Sequence, residues 1–359
     1  MLDDDYYLWG AGLYGARLIE LMKEDLAFKA VIDNDLEKQG TLFHGLPVVT
    51  YNDIKENLPK NKIVMTMNLP REVRAFLISE GYKDNEDFYY IIDFLPRYYW
   101  IKKRKLVVKA VDIPVTTVCN MKCDGCQTFI HIGKNPRHLR TDDVICDIDR
   151  LFTHIDYVLN LNICVGESLL NPELSVICAY ANAKYSEKYR FLTVQTNCTI
   201  VPDDNTLKRL SDAKTVFGVS KYPETAGTRE KLIEKLNEHN ISWYLNMQSD
   251  REIWFDYGDP RIVQETDVGK LQTKYANCYK PANAVVNGLL YLCQAQAWAH
   301  LVAESGTPEP CEVFDLHKEK SEATREEVYD IITRQSNKGY ISHCMSCNSI
   351  IQPLSQKKA

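Results

Sequence analysis

Cys119-Asn-Met-Lys-Cys123-Asp-Gly-Cys126 decides how the rest of the chain is read. Three cysteines stand at i, i+4 and i+7, after an apolar, strand-like run (Lys109–Val118) and before a loop rich in Gly, Lys, His and Pro (Gln127–Arg140). Thiolates are soft ligands suited to iron, and a triplet this tight can wrap one corner of an iron–sulfur cube. Three thiolates for four irons leave one iron open, and an open coordination position marks a working site rather than a structural one. With 12 Cys in 359 residues, the triplet arises by chance in about one such chain in a hundred, so accident is a weak explanation. The plainer alternatives are a zinc knuckle, for which His131 offers a fourth ligand, and buried free thiols.

Composition sets the bounds. The length suggests two or three domains with real cores. Hydrophobic residues make up 45% and charged residues 26%, ordinary for a globular protein. A net charge of −6 gives no reason to expect a nucleic-acid partner. The opening Met-Leu-Asp-Asp-Asp lacks the basic and apolar regions of a signal peptide, and no window is long and apolar enough to span a membrane. Twelve cysteines in that context point to metal ligation in a reducing cytoplasm rather than to a disulfide scaffold.

The triplet after a strand resembles the radical S-adenosylmethionine (radical SAM) enzymes. The resemblance implies that Cys119, Cys123 and Cys126 hold a 4Fe-4S cluster whose open iron is chelated by SAM. An electron passed to the sulfonium would then yield a 5′-deoxyadenosyl radical that abstracts a hydrogen atom. Gly125 stands where many members carry an aromatic residue, and Phe129 is the nearest ring to shield the cluster. Val165-Gly166-Glu167-Ser168-Leu-Leu-Asn171-Pro172 resembles the family's Gly-Gly-Glu-Pro-Leu-Leu motif, with Val165 and Ser168 departing from it. By that resemblance Gly166 and Glu167 receive the amino group of SAM. Thr196-Asn197-Cys198 is similar to the family's Thr-Asn-Gly turn, so Asn197, with Ser220 and Lys221 one strand later, becomes a candidate for the SAM carboxylate or ribose.

Strand-like and helix-like segments alternate from Val107 to about residue 256: strands at Tyr157–Val165, Arg190–Gln195, Thr215–Ser220 and Ser242–Asn246, helices at Asp142–Ile155, Leu174–Tyr185, Asn205–Ala213 and Thr228–His239. Six strands with intervening helices build an open parallel barrel, like the family's partial (β/α)6 TIM-like barrel, whose function collects at the C-terminal ends of the strands. Thr141 reads as a helix cap, and Cys146, Cys164, Cys178 and Cys198 as small buried residues.

The first hundred residues read differently. Tyr6-Tyr-Leu-Trp-Gly10-Ala-Gly12-Leu-Tyr-Gly15 is a strand entering a Gly-x-Gly-x-x-Gly turn, and a second strand, Phe28–Ile32, ends at Asp33. Gly10, Gly12 and Gly15 would let the backbone approach a pyrophosphate at a helix N-terminus, with Asp33 on a ribose hydroxyl. The segment resembles the Rossmann-like modules of surface-glycan and nucleotide-sugar enzymes, which implies a nucleotide, a nucleotide-sugar or NAD. The alternative is a docking module whose glycines merely pack helix on sheet. Arg97–Lys105, aromatic then basic, reads as a linker or a helix joining two domains, its Lys-Lys-Arg-Lys run a solvated face rather than a phosphate site.

In the last third, Cys278, Cys293, Cys344 and Cys347 flank a predicted type I′ hairpin at Asn287-Gly288 that would draw the first two together. The spacing resembles the SPASM/twitch extension of radical SAM enzymes in its shortened form, which implies one auxiliary 4Fe-4S cluster with four protein ligands. A structural zinc is the alternative. Cys311 is left over, either a plain thiol or a hydrogen-atom donor.

The organisation expected is therefore α/β throughout: a Rossmann-like domain over 1–96, a linker over 97–105, a partial barrel over 106–260, and a twitch-type domain of β-hairpin and helix over 261–359. The function expected is oxidation or epimerisation of a carbinol carbon on a sugar, cyclitol or nucleotide-activated sugar. A flavodoxin- or ferredoxin-type protein would supply electrons. Peptide or protein modification is the second expectation, and a non-catalytic nucleotide-binding electron-transfer protein the third.

Overall fold

Apolar alternation and short glycine turns produce parallel sheets in both parts of the chain, which divides between Lys105 and Leu106 into two compact units. The structure is a computed structural model and describes residues 5–67, 71–123, 125–246, 253–255, 257–278, 282–348 and 353–355.

The first unit runs β1 (Tyr6–Trp9), α1 (Leu13–Met22), β2 (Phe28–Ile32), β3 (Leu42–Phe43), β4 (Leu46–Val49), β5 (Lys62–Met65), α2 (Arg71–Ser79), β6 (Phe88–Tyr90) and α3 (Ile91–Lys103). Its strand order is β3-β4-β2-β1-β5-β6, all parallel except the β3–β4 pair. β1 lies between β2 and β5, so the glycine turn after Trp9 opens where the strand order reverses, the usual ligand crevice of such sheets. A short 3-10 turn, Lys55–Asn57, lies between β4 and β5. Of the linker and the helix expected over 97–105, the helix forms, as the end of α3. Tyr98, Tyr99 and Trp100 of α3 are buried, and the Tyr98 and Tyr99 hydroxyls donate to Asp25 O and Oδ2, each at 2.8 Å. Aromatic residues were the better guide there than the basic run after them, which is the helix's solvated end.

The second unit runs β7 (Val107–Pro114), α4 (Thr141–His154), β8 (Tyr157–Cys164), α5 (Leu174–Tyr185), β9 (Tyr189–Thr196), α6 (Asp204–Asp212), β10 (Thr215–Ser220), α7 (Ala226–Glu238), β11 (Ser242–Asn246), β12 (Ile253–Phe255), α8 (Val268–Ala276), β13 (Asn283–Val286), β14 (Leu289–Tyr291), α9 (Gln294–Ala303), β15 (Val313–Asp315), α10 (Glu322–Ile332) and β16 (Pro353–Ser355). Five strands, β7 to β11, pair in sequence order and in parallel, each pair joined by a helix. This is mixed α/β with a parallel sheet. The sixth parallel strand is β13, which joins β7 on its other side and carries the antiparallel β14 and β15 with it. The last third therefore continues the same sheet rather than folding apart beyond residue 260; β12 and β16 form a separate antiparallel pair.

Side chains of β7–β11 sort by alternation. Val111, Ile113, Leu161, Ile163, Leu192, Val194, Phe217 and Val219 are buried on one face, the face that α4, α5 and α6 cover. Cys146 points away from that layer and is exposed, because Asp147 and Ile148 take the inward positions of α4; Cys178 and Cys198 are buried and Cys164 half-buried. Thr141 is the first residue of α4, not its cap, which is Arg140.

Candidate functional site

Beyond Pro114 the chain stays extended, and a short ladder closes the cysteine loop: Thr117 N donates to Arg137 O (2.8 Å), Arg137 N to Thr117 Oγ1 (2.9 Å), and Leu139 N to Val115 O (3.0 Å). The three thiols gather inside it. Burial pushes Cys123 up to about 12, with Cys126 and Cys119 adding to the effect. Burial also raises Cys119, reinforced by Glu167 and Cys126. Burial acts in the same sense on Cys126, but hydrogen bonds from His131 and Thr128 and from backbone N–H groups outweigh it and bring that thiol below its ordinary range. Among the described residues no three His, Cys, Asp or Glu side chains converge on a single-ion position. A cube gives each thiolate its own iron, so its sulfurs stand further apart than ligands sharing one zinc about 2.3 Å away. Three thiols that neighbour one another in one loop are the soft donor chemistry that iron takes. Phe129 is fully buried at φ +58°, packed with Trp298 and Val302 and edge-on to His343, so it anchors the loop to an apolar core.

At the end of β8, Gly166 sits at φ +57°, where a Cβ would lie 2.3 Å from Val118 O, and Glu167 N donates to that same oxygen at 2.9 Å. Glu167 is fully buried. Its Oε2 accepts from Asn197 N at 2.6 Å and its Oε1 from Leu169 N at 3.0 Å. Burial pushes the carboxyl up to about 7 against these bonds and one from Thr196. Asn197 Nδ2 in turn reaches Cys119 Sγ at 3.7 Å and Asn120 Oδ1 at 3.1 Å. Cys119, Glu167 and Asn197, far apart in sequence, are thus brought together at the C-terminal ends of three adjacent strands.

The two residues that stand in place of a motif glycine, Val165 and Cys198, keep a glycine's backbone. Val165 stands at φ +79° and Cys198 at φ +63°, in the left-handed region that costs a side-chain-bearing residue about 1–3 kcal/mol. Ser220 closes β10, its carbonyl accepting from Cys198 Sγ at 3.4 Å, and Lys221 follows half-buried. Sequence reasoning missed Tyr222. Burial raises its hydroxyl, with Cys123, Cys126 and Cys119 adding, so it stands beside the triplet. Its position two residues past a strand end was the signal.

The second cysteine set also gathers. Asn287 and Gly288 have φ +52° and +78°, as a type I′ turn needs. Burial raises Cys293, and Cys278 adds to it; burial raises Cys344, and Cys293, Cys278 and Cys347 add to it. Two cations attend the group. Arg334 is buried, donates to Leu292 O at 2.9 Å and favours the Cys293 thiolate, while Lys274 Nζ donates to Cys344 O (2.9 Å) and Cys347 O (2.7 Å). Cys311 lies exposed in the turn before β15, next to Glu312, whose carbonyl accepts from Leu292 N. The strand register puts it at the Cys293 end of the hairpin, whereas the triplet follows the opposite end of β7; a hydrogen-atom donor belongs at the latter.

In the first unit the glycines have packing reasons. A Cβ on Gly15 would stand 2.3 Å from Gly10 O, and one on Gly10 (φ +120°) 2.8 Å from Thr66 Oγ1, whereas Gly12 faces open space. Asp33 is engaged within the chain, Oδ2 accepting from Ala11 N at 2.7 Å and Oδ1 from Asp35 N at 2.9 Å.

Residues 113–247 match the family model described as the Radical SAM superfamily, so the chain contains a radical SAM domain. Among solved structures, it is similar to native anSMEcpe with bound AdoMet and Cp18Cys peptide: 13% identity and TM-score 0.41 over 65% of this chain and 81% of that one. It is similar also to BtrN in complex with AdoMet and 2-DOIA, at 14% identity and TM-score 0.39 over 64% and 83%. Hexahistidine-tagged anSMEcpe with bound AdoMet matches at 16% identity and TM-score 0.31 over 39% of this chain, which spans 41% of that protein's length. These likenesses are too distant to assign a reaction. No curated protein is a significant match to the sequence.

Proposed function

We propose that this chain dehydrogenates a carbinol carbon of a sugar, cyclitol or nucleotide-activated sugar by radical SAM chemistry; epimerisation, the other outcome, would require a hydrogen-atom donor beside the triplet, a place that Cys311 does not take. The observation that carries the radical part is the convergence of Cys119, Glu167 and Asn197 at the strand ends. When bound, the open-iron cluster and SAM supply a 5′-deoxyadenosyl radical that takes a hydrogen atom from an unactivated C–H bond.

The chain's own residues do the positioning. Cys119, Cys123 and Cys126 hold the first cluster, and the Asn197 amide directed at Cys119 Sγ tempers the sulfur's charge. Glu167 offers a desolvated carboxylate to the cationic amino group of SAM, a partner that brings its raised carboxyl back to the ionised form. Cys278, Cys293, Cys344 and Cys347 would hold an auxiliary cluster, which would supply a place for the electron that a carbinol radical must lose. A flavodoxin- or ferredoxin-type protein supplies the first electron. The glycine turn of the first unit is the place for a nucleotide or nucleotide-sugar, and its glycan-associated look favours carbohydrate over peptide.

The test is anaerobic reconstitution with iron counting and assay for 5′-deoxyadenosine. Two clusters give about eight irons per chain, and Cys119→Ala or Cys344→Ala each removes about four. Only the first substitution must abolish 5′-deoxyadenosine. Colourless, iron-free protein that holds zinc sinks the reading.

A further inference from the structure

The face of β7–β11 opposite the helices is polar, which a sheet buried on both sides does not ordinarily allow. Strand register lines its side chains up in rows. Asp112 is paired with Asn162 and Asn162 with Thr193 in one row; Ala110, Asn160 and Phe191 make the row below. Above them, Gln195 and Tyr244 flank Gly218. These groups touch across the face. Asn162 Nδ2 donates to Asp112 Oδ1 at 2.8 Å, and Gln195 Nε2 to Tyr244 OH at 3.0 Å. The second bond passes over Gly218, where a Cβ would stand 2.3 Å from Gln195 Oε1, so the missing side chain makes room for the amide.

Two features point to a ligand. Thr193 Oγ1 is fully buried and has no hydrogen-bond partner among the described residues, a cost that an incoming polar group would relieve. Asp112, 7% exposed, is a carboxylate held at the middle of a sheet with Asn162 and Cys164 on it and Lys109 nearby. The inner-face positions of β7–β11 include no Lys, Arg or His. Carboxamides, hydroxyls and one carboxylate suit hydroxyl and amino groups and repel phosphate and carboxylate. The rows lie on the strands whose C-terminal ends lead into the cysteine loop and the Gly166-Glu167 turn.

We propose that this face is the substrate pocket and that it is built for a non-anionic polyol ring, with Asp112 anchoring a hydroxyl or, better, an amino substituent. The pocket deepens the radical reading above and rests on it for its chemistry, but not for its binding. A nucleotide-activated substrate would place its sugar ring here and keep its phosphates outside.

The probes are myo-inositol, glucosamine, glucosamine 6-phosphate and the tripeptide Gly-Ser-Gly, titrated calorimetrically into anaerobically reconstituted full chain with SAM present. Formation of 5′-deoxyadenosine is followed in parallel. Binding of the free polyols, glucosamine most tightly, and weakening of glucosamine by roughly tenfold to a hundredfold in Asp112→Asn are the expected results. Thr193→Val should weaken every polyol by a smaller factor. Binding of the tripeptide or the phosphate ester in preference to the free polyols overturns the proposal, as does binding of none of them, or an Asp112→Asn variant with unchanged affinity. Polyol binding by a wild type that makes no 5′-deoxyadenosine upholds the pocket and removes the radical reading.

Discussion

Asp112→Asn should make the protein more stable. Burial pushes this carboxyl from 3.8 up to about 6, outweighing the hydrogen bonds from Asn162 and Cys164 and the charge of Lys109. A shift of about two pKa units corresponds to about 3 kcal/mol between the protonation states. The folded chain holds the proton more tightly than the unfolded one. The stability this group contributes is therefore present below about pH 4, is lost as pH rises from 3.8 to about 6, and stays lost at pH 8. Asparagine still offers Asn162 an acceptor and carries no charge, so at pH 8 the variant should gain up to about 3 kcal/mol. For a unit of this size that raises Tm by roughly 6–12 °C. Unfolding followed by circular dichroism under anaerobic, reducing conditions at pH 8 and pH 5 checks it, and the gap should narrow to about half at the lower pH. A variant less stable than its parent at pH 8, or a gap that ignores pH, would refute the argument that burial is the cause. A substitution that stabilises the fold while weakening polyol binding would mark Asp112 as kept for function at the expense of stability.

Three further outcomes follow from the geometry. Gly166→Ala combines a left-handed backbone with a Cβ 2.3 Å from Val118 O; it should cost about 2–4 kcal/mol and weaken SAM binding, read by thermal melts and equilibrium dialysis. Arg334→Met removes a buried cation that favours the Cys293 thiolate, so the auxiliary cluster proposed there should become harder to reduce, its midpoint falling by tens of millivolts in an EPR-monitored titration. Asp33→Ala releases the Ala11 and Asp35 amides and should cost about 1–3 kcal/mol in melts. If the carboxylate also reads a ribose, UDP-glucose binding measured calorimetrically should weaken with it.

Chemistry that depends on a few residues at short spacing was the easiest part to read. The triplet, the Gly166-Glu167 turn and the glycine turn each announce themselves locally, and the parallel strands between them follow from apolar runs. What escaped depends on register. Asn160, Asn162 and Cys164 alternate visibly in β8, but which neighbours they meet is decided by pairing across strands, so the polar face with Asp112 and Thr193 stays hidden in a single sequence. Val165 and Cys198 look like losses from the family motifs until their positive φ angles show that the backbone was retained. Linker and helix both stayed open for 97–105 because the burial of Tyr98, Tyr99 and Trp100, which makes the segment part of a core, depends on what packs against it. The last third looked separable because its cysteines spell a motif of their own, whereas β13 is needed beside β7.

That placement of β13 has a consequence for how the protein is made. The strand that presents the cysteine loop acquires its second neighbour only when residues beyond 282 leave the ribosome. Until then the nascent sheet exposes a bare row of backbone amides and carbonyls at β7, a template for pairing with other chains. Fragments that stop near residue 260 should therefore be prone to aggregation, and iron loading at the triplet is best timed after synthesis is complete.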